Sequence, residues 1–139
     1  MLIDIHTYRR EKITNSEIVW NILKEVISKM QPFDADKEHL WVLGLTASNG
    51  IKYIDHVSMG SQKYTIAEAS EVFRMAIHKG ASTIIIAHNH PSGNATPSES
   101  DKLLTKTVCD AGKILKVLVI DHIIVCEEGY YSFADNGGI

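Results

Sequence analysis

At 139 residues, with 45% hydrophobic and 22% charged residues, the chain is long enough for one domain with a real core, and its composition excludes a disordered or fibrous polypeptide. A formal net charge of −3, with no basic run beyond Arg9-Arg10, gives no support for binding nucleic acid through its phosphates. Nor is there an apolar run of about 18 residues or a basic lead before one, which argues against a membrane span and a signal peptide.

In chain order, Ile3 and Ile5 alternate with polar residues and predict a short strand within residues 1–10. Thr14-Asn15-Ser16-Glu17 reads as a capping box opening a helix that runs to about Met30. Ile18, Val19, Ile22, Leu23, Val26 and Ile27 form its apolar face, and Pro32 lies just past its end. A strand is expected at 38–46, turning at Asn49-Gly50 into a second from Ile51 to Val57. After a loop with Gly60, Thr65-Ile66-Ala67-Glu68 reads as the capping box of a helix at 66–79, closed by Gly80. Residues 82–88 are nearly all apolar and predict a central strand covered on both faces. A helix is expected at 97–111, stopping near Gly112, then strands at 117–125 and 130–133 around a Glu128-Gly129 turn. Cys109 and Cys126 have no metal-like spacing and read as buried small hydrophobes, which suits a reducing cytoplasm. The order of elements fits a mixed sheet between helices, an α/β architecture.

The chemistry concentrates in His88-Asn89-His90-Pro91 and, beyond a short loop, Ser98-Glu99-Ser100-Asp101. Side chains two apart on a strand share a face, so His88 and His90 aim at one point while Asn89 turns away. Pro91 keeps His90 extended. Asp101 is the nearest candidate for a third ligand, and two imidazoles with one carboxylate are a common catalytic zinc set with a fourth position open to water. Helix capping competes for the same residues. Ser98 can be the N-cap with Asp101 at N3. Alternatively, Thr96 caps with Pro97 at N1 and Glu99 at N3, which satisfies the capping rules better and leaves Ser98 and Asp101 on one helix face for other work.

The spacing His88-x-His90-Pro91, then ten residues to Asp101 with Ser98 three before it, resembles the JAMM metalloprotease motif. The longer string through Pro91-Ser92-Gly93, with Pro97-Ser98, Asp101 and Asp121-His122-Ile123-Ile124-Val125, resembles the RadC-like branch of that superfamily, over residues 37–133. The resemblance implies an MPN/JAB fold related to cytidine deaminases in residues 37–139, with residues 1–36 as a helical extension. It also implies a glutamate that activates water, and the matching residue is Glu38. Glu68 and Glu71 compete, but the first belongs to a capping box and the second lies off the apolar stripe of Ala69, Val72, Phe73 and Ala76. Asn89 stands where many JAMM proteins have serine.

The chemistry so implied is hydrolysis of a peptide or isopeptide amide. His88, His90 and Asp101 hold Zn²⁺, Glu38 moves the water proton, and Ser98 donates a hydrogen bond to the oxyanion. Fuller RadC-like proteins carry a helix-hairpin-helix region that residues 1–36 do not resemble. With the acidic balance, this argues against the DNA repair role by which the group has been labelled. A non-catalytic partner-binding module would be signalled by a lost ligand, and all three ligands are present. Deamination is disfavoured because His90 stands where a deaminase needs glutamate and there is no Cys-x-x-Cys. Asp121-His122 reads as a buried histidine held by hydrogen bonds, and His56 and His78 as exposed. Tyr130, Tyr131 and Phe133 read as strand residues, not a base-stacking platform.

Overall fold

A computed structural model describes residues 1–60 and 68–139. The apolar run before His88 forms β3 (Thr83–Asn89), and among the described residues it lies in the middle of one sheet of order β2-β1-β3-β4-β5. Its partners are β1 (Glu38–Leu45), antiparallel, and β4 (Leu118–Val125), parallel. The edges are β2 (Ile51–Gly60) and β5 (Tyr130–Ser132), each antiparallel to its neighbour. The expected mixed α/β sheet is what forms.

Strand alternation sorts the apolar side chains into two cores. Trp41, Leu43, Ile85 and Ala87 pack with Val19, Leu23 and Val26 of α1 (Ser16–Ser28). Leu40, Val42, Ile84 and Ile86 pack on the opposite face with Val72 and Phe73 of α3 (Ala69–Lys79) and Val108 of α4 (Glu99–Leu115). Residues of the same parity as Ile84 and Ile86 therefore face α4, and His88 is the next of them. None of the described helices is long and apolar enough to cross a membrane.

Several expectations change. No strand forms in residues 1–10. Leu2 makes one isolated bridge to Asp55, and His6–Tyr8 wind into a 3-10 turn. The first helix is capped by Asn15, whose side chain accepts the Ile18 N–H, and not by Thr14. Asparagine is at least as good a cap, and this register turns Ser16 inward to Tyr130 and Asp135. Pro32 opens a short helix, α2 (Pro32–Ala35), from its N1 position. Most of the Thr65–Glu68 box lies outside the described residues. Glu68 itself occupies the extended N-cap position of α3 and not N3. Gly80 closes that helix at φ 66°, as expected. His56 is half-buried, with Nε2 2.9 Å from Nδ1 of the buried His39.

Gly112 does not stop α4, which continues to Leu115 and is capped by Lys116 at φ 61°. The glycine serves close approach, since a Cβ there would lie 2.5 Å from the Val117 carbonyl oxygen and 3.3 Å from Phe73. Alanine would add up to about 1 kcal/mol of helix propensity. The clash is with backbone that cannot rotate away, and such overpacking costs about 1–3 kcal/mol. Gly112→Ala is expected to lower the urea midpoint of unfolding by the equivalent of about 1–2 kcal/mol. A midpoint equal to or above that of the parent would refute the close-approach explanation.

Candidate metal centre

His88 is the penultimate residue of β3, and the chain carries on through His90 before Pro91 and Gly93 turn it toward α4. His90 Nδ1 lies 2.8 Å from the Asn94 carbonyl oxygen. A carbonyl only accepts, so Nδ1 donates and Nε2 of the neutral ring presents a lone pair to the cleft. The α4 N-terminus supplies Asp101. Its Oδ1 is 3.1 Å from His88 Nε2 and its Oδ2 3.2 Å from His90 Nε2, while the two imidazole nitrogens are 3.0 Å apart. Among the described residues these three are the group whose ligand atoms converge.

The donor set fits a zinc ion. Zinc bonds of about 2.0–2.1 Å in tetrahedral geometry place ligand atoms about 3.3 Å from one another. The separations of His88 Nε2 from His90 Nε2 and from Asp101 Oδ1 need only a few tenths of an ångström of expansion.

Capping and ligation prove compatible. The register is the one with Ser98 as N-cap, and not the Thr96 register favoured by the capping rules. Ser98 Oγ accepts the Asp101 N–H at 3.1 Å, and Asp101 Oδ2 accepts the Ser98 N–H at 2.8 Å. One carboxylate has room for these partners and more, and Asp101 uses both oxygens toward the histidines. The capping box thus holds the carboxylate in place for the cluster. Ser98 keeps its own hydrogen for Ser100 Oγ, 3.0 Å away, or for a group in the cleft.

Electrostatics reflect this packing. Burial alone would raise the Asp101 pKa, but the His88 and His90 rings that pair with it when protonated outweigh burial and hold the carboxyl far below its usual range. Burial would lower the His90 pKa, yet the Asp101 carboxylate, the Asn94 carbonyl and the charge of Glu38 together pull it up.

Glu38 comes to the same place from β1. The antiparallel register sets Leu40 opposite His88, and Glu38, two residues earlier, lies on the same face toward His90. A cleft of about 350 Å³ is lined by Glu38, His88, His90, Ser98 and Asp101. Glu68 and Glu71 do not line it. Asn89 does turn away, and what it does there bears on Glu38. Its side chain accepts the His39 N–H at 2.7 Å and donates to the Lys37 carbonyl at 2.9 Å, clamping the backbone on either side of Glu38.

Reading the sequence left Asp121-His122 without a chemical task. His122 is fully buried, as expected, but its Nε2 lies 2.8 Å from Nδ1 of His88, so it touches the cluster from behind. Its Nδ1 lies 2.6 Å from Thr105 Oγ. Burial, reinforced by His88, pushes its pKa well below the ordinary value, so the ring is neutral. A bulge decides this placement. The β3–β4 register shifts between Ile84 and Ile85, so that Ile84 faces Val119 but Ile86 faces His122. Odd residues of β4 before the shift face α4, and even residues after it do so. A regular strand would have turned His122 to the α1 side. Asn89, Asn94, Thr105 and His122 are the site's supporting residues that sequence reasoning did not assign. The one available signal was the unabsorbed Asp121-His122 pair.

A family model of the RadC-like JAB domain matches residues 13–138. The chain is 39% identical over 127 residues to a UPF0758 protein of Flavobacterium johnsoniae, covering 91% of this chain and 53% of that protein. It is 40% identical over 129 residues to one of Caldanaerobacter subterraneus, covering 87% and 53% respectively. A third, from Porphyromonas gingivalis, is 38% identical over 130 residues, covering 93% and 55%. The chain thus spans about half the length of the curated relatives it matches.

Proposed function

This chain belongs to the RadC-like JAB domain family, and on that premise we propose that it is a zinc-dependent hydrolase of peptide or isopeptide amides. The observation that carries the reading is the convergence of His88, His90 and Asp101 donor atoms at 3.0–3.2 Å in a cleft shared with Glu38. Two imidazoles favour zinc over magnesium or calcium. When bound in such a set, zinc acidifies a water molecule and polarises a carbonyl. Glu38 takes the proton from the attacking water and returns it to the leaving amine nitrogen. Ser98, at the mouth of the cleft, donates its hydroxyl hydrogen to the substrate carbonyl oxygen as charge builds there. Comparable donors contribute about 3–4 kcal/mol to the transition state. The substrate is a protein or peptide, and a reducing cytoplasm suits the two free cysteines.

Elemental analysis of the purified chain is expected to find close to one zinc per molecule, lost in the His88→Ala/His90→Ala double variant with circular dichroism unchanged. A parent protein that carries no zinc, and takes up none on dialysis against it, would end the proposal.

A further inference from the structure

We infer that Thr105 and His122 form a buried proton-ordering relay that fixes which nitrogen of His88 carries the proton. The inference deepens the zinc reading and rests on it. The Thr105 hydroxyl has one hydrogen, and it is directed to the Asp101 carbonyl oxygen at 2.9 Å. Its oxygen must then receive the contact with His122, so His122 donates from Nδ1. With that proton placed, Nε2 of the neutral His122 ring is bare and accepts from His88, which puts the His88 proton on Nδ1. His88 Nε2 is left as a lone pair facing His90 and Asp101. Reversing any one of these bonds reverses the rest and puts a hydrogen where the ligand lone pair must be.

The relay is built to stay in place. His122 is wholly enclosed, and the Phe133 ring stacks on it at 4.7 Å between centroids and 10° between planes. Asp121 holds the backbone on both sides of that stack. Its Oδ1 accepts the N–H groups of His122 and Ala134, and its Oδ2 accepts the Ser132 hydroxyl. This gives the Asp121-His122 pair its task. The relay also returns to α4 at the residue that supplies the carboxylate, so one hydroxyl links the tautomer of His88 to the backbone of Asp101. Thr105 and His122 are positioning residues and touch neither metal nor substrate. Partners of this kind shape metal affinity by about 10–100-fold.

The test uses ¹⁵N-labelled protein stripped of metal at neutral pH, with histidine tautomers read from long-range ¹H–¹⁵N spectra. Zinc affinity is measured separately by competition with a chelating dye. In the parent, His88 and His122 are expected to carry their protons on Nδ1. Thr105→Val, nearly isosteric but unable to accept, is expected to move both protons to Nε2 and to weaken zinc binding about 10–100-fold. Thr105→Ser keeps the hydroxyl and is expected to restore both. A parent His88 protonated at Nε2 overturns the inference, as does a Thr105→Val variant with unchanged tautomers and affinity. Equal loss in Thr105→Ser and Thr105→Val also overturns it, because that pattern belongs to packing. If Thr105→Val does not fold, the parent spectrum alone decides. Should the parent take no zinc, the hydrolase reading fails, while the metal-free spectrum still judges the relay.

Discussion

Glu38→Gln is expected to lower hydrolysis of an amide substrate by about 10²–10⁴-fold while leaving zinc content and thermal stability close to those of the parent. Gln is nearly isosteric and keeps the side chain in the cleft, but it cannot take the proton from water. The loss should therefore fall on kcat, with KM little changed, because the group acts in the transition state and not in binding. Asp101→Asn provides the contrast. It removes the negative charge that pairs with His88 and His90, so it should lower zinc affinity as well as turnover. Measuring zinc content, kcat and KM for both variants separates the two roles. A Glu38→Gln enzyme with more than a tenth of parental kcat would show that another group moves the proton.

The metal-free and zinc-loaded proteins are expected to respond to pH in opposite directions. In the metal-free protein the His90 pKa is raised above its ordinary 6.5, so its pairing with Asp101 stabilises fully below that value and is lost as pH rises through the raised one. Asp101 is lowered from its ordinary 3.8, so its contribution is present above that value and is lost as pH falls through the lowered one. The pair thus favours the metal-free fold most between about pH 4 and 6.5. Zinc requires both imidazoles without a proton on Nε2. Protons compete with the ion for these nitrogens, so zinc affinity should fall steeply as pH drops below about 6. Thermal melts with and without excess zinc should differ by several degrees at pH 7.5 and hardly at all at pH 5. An equal zinc-dependent shift at the two pH values would mean that the ion is not held by these histidines.

Much of the site is legible because it is local. His88 and His90 share a face by the two-residue period of a strand, and the apolar run before them needs no partner to declare itself buried. Asp101 and Ser98 follow within one short loop and the first turn of a helix. The role proposed for Glu38 rests on family resemblance, since nothing within its own stretch distinguishes it from Asp34 or Asp36. Its place beside His90 comes from the β1–β3 register, a pairing of segments some fifty residues apart.

Other features were open until the chain packed. Gly112 looks like a helix stop in one dimension, and the Val117 carbonyl oxygen pressing on it is visible only in three. The choice between Thr96 and Ser98 as cap was close on local preference, and in the folded chain the Ser98 register sets the Asp101 carboxylate against the two imidazoles. The face taken by His122 is the clearest case. Strand alternation is intrinsic to a chain, so the sequence determines that neighbours alternate. Which parity faces α4 depends on where an extra residue is absorbed, and here the shift beside Ile84 absorbs it. A bulge has no strong local code, because it is set by the fit between two packed faces, and that fit put a histidine behind His88.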